Sequence, residues 1–216
     1  MRQCILRAAS DLFERLGFLG SGMQEVASKA GISTKTLYKH FPSKSDLIVE
    51  YVRTVLEADR IYSDQLLKNA RDPLEYQIGI LYYNISRGYP GKYIYMNQLR
   101  GYFPEAFGQV EDFKYKYLIQ AVHHCLHWGI RENFYRSDIH VGILGKLWIE
   151  MAMIAIDLDT FHPDNYNKEL VFIELFKNYL HGIVTPAGEA LLNVHWQHFF
   201  GVPGDSRFSV LPVSGA

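Results

Sequence analysis

Thr34, Lys35, Thr36, Tyr38, Lys39 and His40 crowd a short stretch closed by Ser33 on one side and Pro42 on the other. Hydroxyls and cations at this density, with Lys44 just beyond, are the groups that meet phosphate oxygens and base edges in a DNA groove. The sequence around them has no phosphate-cradling glycine loop, no nucleophile-elbow motif and no metal motif with a full ligand set. The chemistry predicted is therefore recognition, with no catalytic residue, metal ligand or cofactor assigned.

The flanking residues say how such side chains would be held. Gly31 follows the last periodic residue of an apolar helix, where a left-handed C-terminal conformation favours a residue without Cβ. Ser33 reads as the N-cap of the next helix. Ile32, Leu37 and Phe41 face inward, and Pro42 stops the helix because the residue before a proline is pushed out of helical geometry. Ser43 and Asp46 are spaced as a capping box, placing Lys44 in a first turn that already favours an anion. Helix, tight turn and short polar-basic helix form a helix-turn-helix. The predicted DNA-contacting set is Ser33, Thr34, Lys35, Thr36, Tyr38, Lys39, His40 and Lys44.

This stretch resembles the N-terminal domain of the tetracycline-repressor (TetR) family. The resemblance rests on Ala9, Leu12, Phe13 and Gly17-Phe18, then Val26-Ala27, Ala30-Gly31-Ile32-Ser33, Thr36-Leu37-Tyr38, Phe41, Ser43-Lys44 and Leu47. It covers about the first 48 residues. Two departures stand out. Where members carry threonine or serine before the second helix, this chain has Gly20-Ser21-Gly22-Met23, so Ser21 is the candidate cap and Gly22 offers no hydroxyl. A basic arm is also lacking, since Met1 lies almost inside the first helix with only Arg2 and Arg7 near that end.

The chain has 216 residues, is 48% hydrophobic and carries a net charge of −1. Residues 1–50 hold seven Lys/Arg against five Asp/Glu, and the remainder fifteen against eighteen, so the positive excess sits with the motif. Long-range steering by so small an excess is weak, and local phosphate contacts must supply affinity. Cys4 and Cys125 have no paired-motif spacing and read as reduced thiols of a cytoplasmic protein. The longest apolar run, Met151 to Ile156, is too short to span a bilayer.

Periodicity predicts an all-α fold. Residues 1–48 form a helix-turn-helix DNA-binding domain, and a long helix over 44–69 joins it to a helical effector-binding and dimerisation domain at 49–200. Residues 201–216, rich in glycine, proline and small residues, read as a flexible tail. Later helices are expected over 73–88 and 92–100, from Pro104 to about Arg131, from a cap at Asp138 to about Asp157, and over 165–183 and 186–200.

Aromatic and methionine side chains concentrate in the second domain. The resemblance implies a ligand pocket there, and Tyr93, Met96, Phe103, Phe107, Tyr117, Trp148 and Met151 are its expected wall. His123 and His127, one helical turn apart, lack a marked third ligand and read as bundle-edge residues. Ile139, Ile143, Leu147, Met151 and Ile154 form a stripe, with Gly142, Gly145 and Ala152 permitting close approach. The resemblance implies a homodimer built on the last long helices. Its partners would be a palindromic double-stranded operator and an apolar or aromatic small molecule, with no membrane. That describes a one-component transcriptional regulator, in the first place a repressor. The alternatives are an activator of the same fold, or a carrier or enzyme with a relic DNA-binding domain.

Overall fold

The computed structural model describes residues 1–88, 96–157, 160–162 and 164–201. Tyr93, one of the expected pocket residues, lies outside them, as do the Tyr89-Pro90-Gly91 break and most of the expected tail. The chain divides into two compact units, Met1–Tyr62 with Tyr95–Lys114, and Ser63–Ile94 with Tyr115–Ala216. The expected boundary at 48/49 falls inside a continuous helix, and residues 95–114 group with the N-terminal unit rather than with the rest of the expected effector domain.

In the first unit, α1 (Arg2–Gly20) buries Ile5, Ala8, Ala9, Leu12 and Phe13 along one face. The helix breaks at Gly17, whose φ of 73° and ψ of 175° suit a residue without Cβ. The break turns Phe18 inward, with its ring edge-on to Phe13 at 5.1 Å. After α2 (Met23–Lys29), Gly31 adopts φ 67° and α3 (Thr34–His40) follows. The long α4 (Lys44–Asn69) then runs past Tyr62, where the second unit begins. Leu37, Phe41, Leu47 and Ile48 are at most 1% exposed, and each such burial contributes roughly 1.5–3 kcal/mol. Helices α6 (Met96–Tyr102) and α7 (Pro104–Asp112) complete this core through Leu99, Phe103, Ala106 and Val110.

In the second unit, Asp72 caps α5 (Pro73–Ser86) by accepting the Glu75 N–H at 2.8 Å, with Pro73 in the first turn. The expected single helix from Pro104 to Arg131 is α7, a π-helical segment Phe113–Leu118 and α8 (Ile119–Arg131). Then come α9 (Val141–Ile156), α10 (Lys168–Ile183) and α11 (Pro186–Phe200). The cap of α9 is His140, whose Nδ1 accepts the Ile143 N–H at 3.2 Å; Asp138 stands two residues too early. Asn167 and Thr185 cap the last two helices through the N–H groups of Leu170 and Gly188.

Helix α5 is nearly all core and packs on α8 and α11, while α9 packs on α8 and α10. Polar groups inside this bundle are mostly paired, as burial demands. The Tyr135 hydroxyl donates to Gln77 Oε1 at 2.5 Å, Ser63 and Tyr76 hydroxyls lie 2.8 Å apart, and His195 Nε2 sits 2.7 Å from Asp72 Oδ2. Burial pushes the Cys125 thiol and the Tyr76, Tyr135 and Tyr179 phenols up from their ordinary values. Neither cysteine is bridged; Cys4 is exposed and Cys125 buried. No helix among the described residues is long and apolar enough to cross a membrane.

Candidate nucleic-acid interface

The short helix α3 exists because both ends are satisfied and one side is buried. Ser33 Oγ accepts the Thr36 N–H at 3.1 Å, the N-cap bond that the spacing predicts. Thr36 Oγ1 lies 2.8 Å from the Ser33 hydroxyl, so these two side chains reinforce the cap. Leu37 is wholly buried and Phe41 leaves helical geometry at φ −135°, immediately before Pro42. Ser43 Oγ then accepts the Asp46 N–H at 3.1 Å and donates to Asp46 Oδ2 at 2.7 Å, starting α4.

That frame leaves Lys35, Tyr38 and Lys39 exposed, with Tyr38 at 46%, and Thr34, Thr36 and His40 half-buried beside them. Lys35 and Lys39 form no ion pair among the described residues, so their charge is available to an incoming polyanion. Lys44 is half-buried, and its Nζ donates to the Leu19 backbone oxygen at 3.3 Å. Burial lowers its pKa, opposed by the nearby Glu25 carboxylate. The eight expected contact residues thus lie together on or beside α3.

The turn between α1 and α2 differs from expectation in one respect. Ser21 does not cap α2: its hydroxyl turns back onto the Gly17 oxygen and is buried. The start of α2 is held instead by Glu25, whose Oε2 accepts the Gly22 N–H at 2.7 Å.

Two supporting residues carry no local sequence signal. Arg2 reaches the C-terminal end of α3, donating to the His40 oxygen at 3.1 Å with its guanidinium 4.5 Å from the Phe41 ring centroid. Gln98 on α6 accepts the Leu19 N–H at 3.1 Å, on the same peptide-bearing residue that Lys44 holds from the other side. Their partners are 38 and 79 residues away, beyond the reach of any periodicity.

The expected ligand-pocket residues among those described are divided between the two units. Met96, Phe103 and Phe107 belong to the first unit, where Phe103 stacks edge-on to Phe18 and Phe107 lies under Arg100. Trp148 and Met151 are core residues of the second unit, with Trp148 edge-on to Phe176 at 4.4 Å. Tyr117 lines a cleft of about 580 Å³ beside Asp64, Lys116, Gln120 and the histidines of α8. Among the described residues no group of three or more His, Cys, Asp or Glu is arranged to hold a metal ion.

The apolar stripe of α9 also divides. Ile143, Leu147 and Ile154 are exposed at 63%, 42% and 43%, while Met151 is core. Gly145 does not open that outer face: a Cβ there would come within 2.6 Å of His123 Nε2, so its missing side chain makes room for a ring of its own chain.

Residues 5–51, the whole helix-turn-helix, match the bacterial regulatory proteins of the tetR family. This segment is a TetR-family helix-turn-helix domain. Over 56 residues it is 38% identical to the HTH-type transcriptional regulator RutR of Escherichia coli K12, a match spanning 26% of this chain and 26% of that protein. The chain therefore spans about a quarter of the length of this relative. A longer match, 24% identical over 156 residues, reaches the HTH-type transcriptional repressor KstR2 of Mycobacterium tuberculosis and covers 70% of this chain and 78% of KstR2. The KstR2 structure superposes with a TM-score of 0.60 at 21% identity, covering 85% of this chain and 95% of that one. A Saccharomonospora viridis protein in complex with choline superposes with a TM-score of 0.70 at 19% identity, covering 85% and 97%. At these identities the superpositions show a shared fold.

Proposed function

We propose that this protein is a one-component transcriptional regulator, a repressor that binds a palindromic operator as a homodimer and releases it when a small molecule occupies the second unit. The observation that carries the proposal is the rigid, capped α3 with Lys35, Tyr38 and Lys39 exposed on it. One helix of this length makes too few contacts for specific affinity. Two, set about 34–36 Å apart by a two-fold axis, read successive major grooves.

The exposed Ile143, Leu147 and Ile154 supply an apolar face for self-association, and burying it in a dimer removes it from water. Continuity of α4 from Lys44 to Asn69 gives the second unit a covalent helical route to the DNA-binding end. Coupling of about 1–3 kcal/mol per effector, usual for allostery, lowers operator affinity some five- to 150-fold.

The test is a salt titration of binding to DNA from upstream of the reading frame, followed by fluorescence anisotropy. If the dimer makes about six to ten phosphate contacts, affinity falls some 10³–10⁵-fold between 50 and 200 mM salt. Lys44→Ala should flatten that slope by about one unit while weakening all sequences alike. A slope unchanged by the substitution removes Lys44 from the interface, and absence of binding at low salt removes the proposal.

A further inference from the structure

Leu19 stands at the end of α1, just past Gly17, where the run of helical geometry has been interrupted. Its side chain is 46% exposed, so burial does not fix its position. Two side chains from distant helices do. Gln98 Oε1 on α6 accepts the Leu19 N–H at 3.1 Å, and Lys44 Nζ in the first turn of α4 donates to the Leu19 oxygen at 3.3 Å. Helix α6 is seated on this end of α1 by Leu99 and Phe103, which share the core of the first unit with Phe18. The Phe103 ring stands edge-on to Phe18 with centroids 6.2 Å apart.

The consequence falls on Lys44. A lysine ammonium rides on a flexible four-carbon stem, and a phosphate contact has to freeze that freedom. Tying one N–H to a fixed carbonyl freezes part of it before DNA arrives and leaves two donors for a phosphate oxygen. The gain exists only while the Leu19 carbonyl itself stays in place. Gln98 holds the other peptide group of the same residue, so the placement of Lys44 depends on a side chain 54 positions further along the chain.

We infer that Gln98 is a positioning residue for DNA binding, which fixes the Leu19 carbonyl and through it sets the Lys44 ammonium for a backbone phosphate. The role in DNA binding rests on the reading of Lys44 as a phosphate contact; the clasp on Leu19 does not.

The experiment uses the full chain and fluorescence anisotropy on operator-region DNA and on a scrambled duplex. Wild type is compared with Gln98→Met, Lys44→Ala and the double variant. Methionine keeps the length and helix preference of glutamine and removes the acceptor. Gln98→Met should weaken both duplexes about two- to tenfold per half-site, the cost of ordering one long side chain, with the salt slope unchanged. In the Lys44→Ala background the same substitution should change nothing. An equal loss in that background, or no loss in the wild-type background, overturns positioning through Lys44. Without DNA, acetic anhydride should label Lys44 faster in Gln98→Met than in wild type, and an equal rate overturns the clasp. Amide exchange of the wild-type chain requires no variant: Leu19 should exchange well below its open-chain rate, and exchange at that rate overturns the clasp even if Gln98→Met fails to fold. A salt slope unchanged by Lys44→Ala overturns the phosphate contact alone. A chain that binds no DNA overturns the regulator reading, with labelling and exchange still deciding the clasp.

Discussion

The Arg2 guanidinium donates a hydrogen bond to the His40 backbone oxygen at 3.1 Å, across 38 residues of sequence. A cation at a helix C-terminus meets the negative end of the helix dipole and a carbonyl left without an intrahelical partner. Arg2 therefore secures the end of the recognition helix, with Glu50 3.8 Å from its other amine, instead of serving as a free arm. Arg2→Ala should lower stability by about 1 kcal/mol. It should also weaken operator binding through fraying of α3 while leaving the salt slope as it was. Urea denaturation and a salt titration check both; a slope reduced by one unit would place Arg2 on a phosphate.

The helix-turn-helix was legible in the sequence because its determinants are local. Ser33, Gly31, Pro42 and the Ser43–Asp46 pair each act within a turn of themselves, and the structure shows each in its expected role. The capping of α9 was misread because a histidine nitrogen can accept an N–H as a carboxylate does, and His140 is nearer the helix than Asp138. The partners of the aromatic residues were not legible, for a different reason. Phe103 packs on Phe18, and Trp148 on Phe176. Which aromatic ring meets which is decided by pairings between distant helices, and local spacing does not encode them.

In the second unit, Asp72 both caps α5 and pairs with His195, and the side chains are 11% and 4% exposed. Asp72→Ala removes a cap and leaves a buried imidazole unpaired, at an expected cost of about 3 kcal/mol. His195→Gln should cost less, because the cap to Glu75 survives. All three tryptophans, Trp128, Trp148 and Trp196, lie in this unit, so tryptophan fluorescence during urea unfolding measures both. Equal losses for the two variants would show that the cap contributes nothing.

Acid should unfold the protein partly through Glu75 and Glu50. Hydrogen bonds from Arg71 hold the Glu75 carboxyl below the ordinary carboxylate value, against the opposing effect of burial; Arg53 does the same for Glu50. The unfolded chain, with glutamate near about 4.3, binds these protons first as pH falls. The stabilisation is thus present above about pH 4.3 and is lost as pH falls through the lower folded values. Glu75→Gln should flatten the dependence of the urea midpoint on pH between about 3 and 5. An unchanged slope would show that the Arg71 pair does not distinguish folded from unfolded chain.

In the proposed dimer the interface is the outer face of α9. Leu147→Arg puts a charge in the middle of the exposed Ile143–Ile154 stripe and touches none of the core contacts of Trp148. Sedimentation should report a monomer, the melting profile of the second unit should survive, and affinity for a two-half-site operator should fall at least about 100-fold toward the non-specific level. A variant that stays dimeric would move the interface to another surface.

The measurement that tests the account most directly is the anisotropy of labelled operator DNA titrated with wild-type protein and with Lys35→Ala, each repeated on a scrambled duplex. Lys35 is exposed on α3, and a lysine in that position is suited to a guanine edge in the major groove. The account predicts that the substitution costs about 1–3 kcal/mol on the operator, relaxes preference at one position per half-site, and changes the scrambled duplex far less. Equal losses on both duplexes, or wild-type protein that does not distinguish them, would contradict base reading by α3.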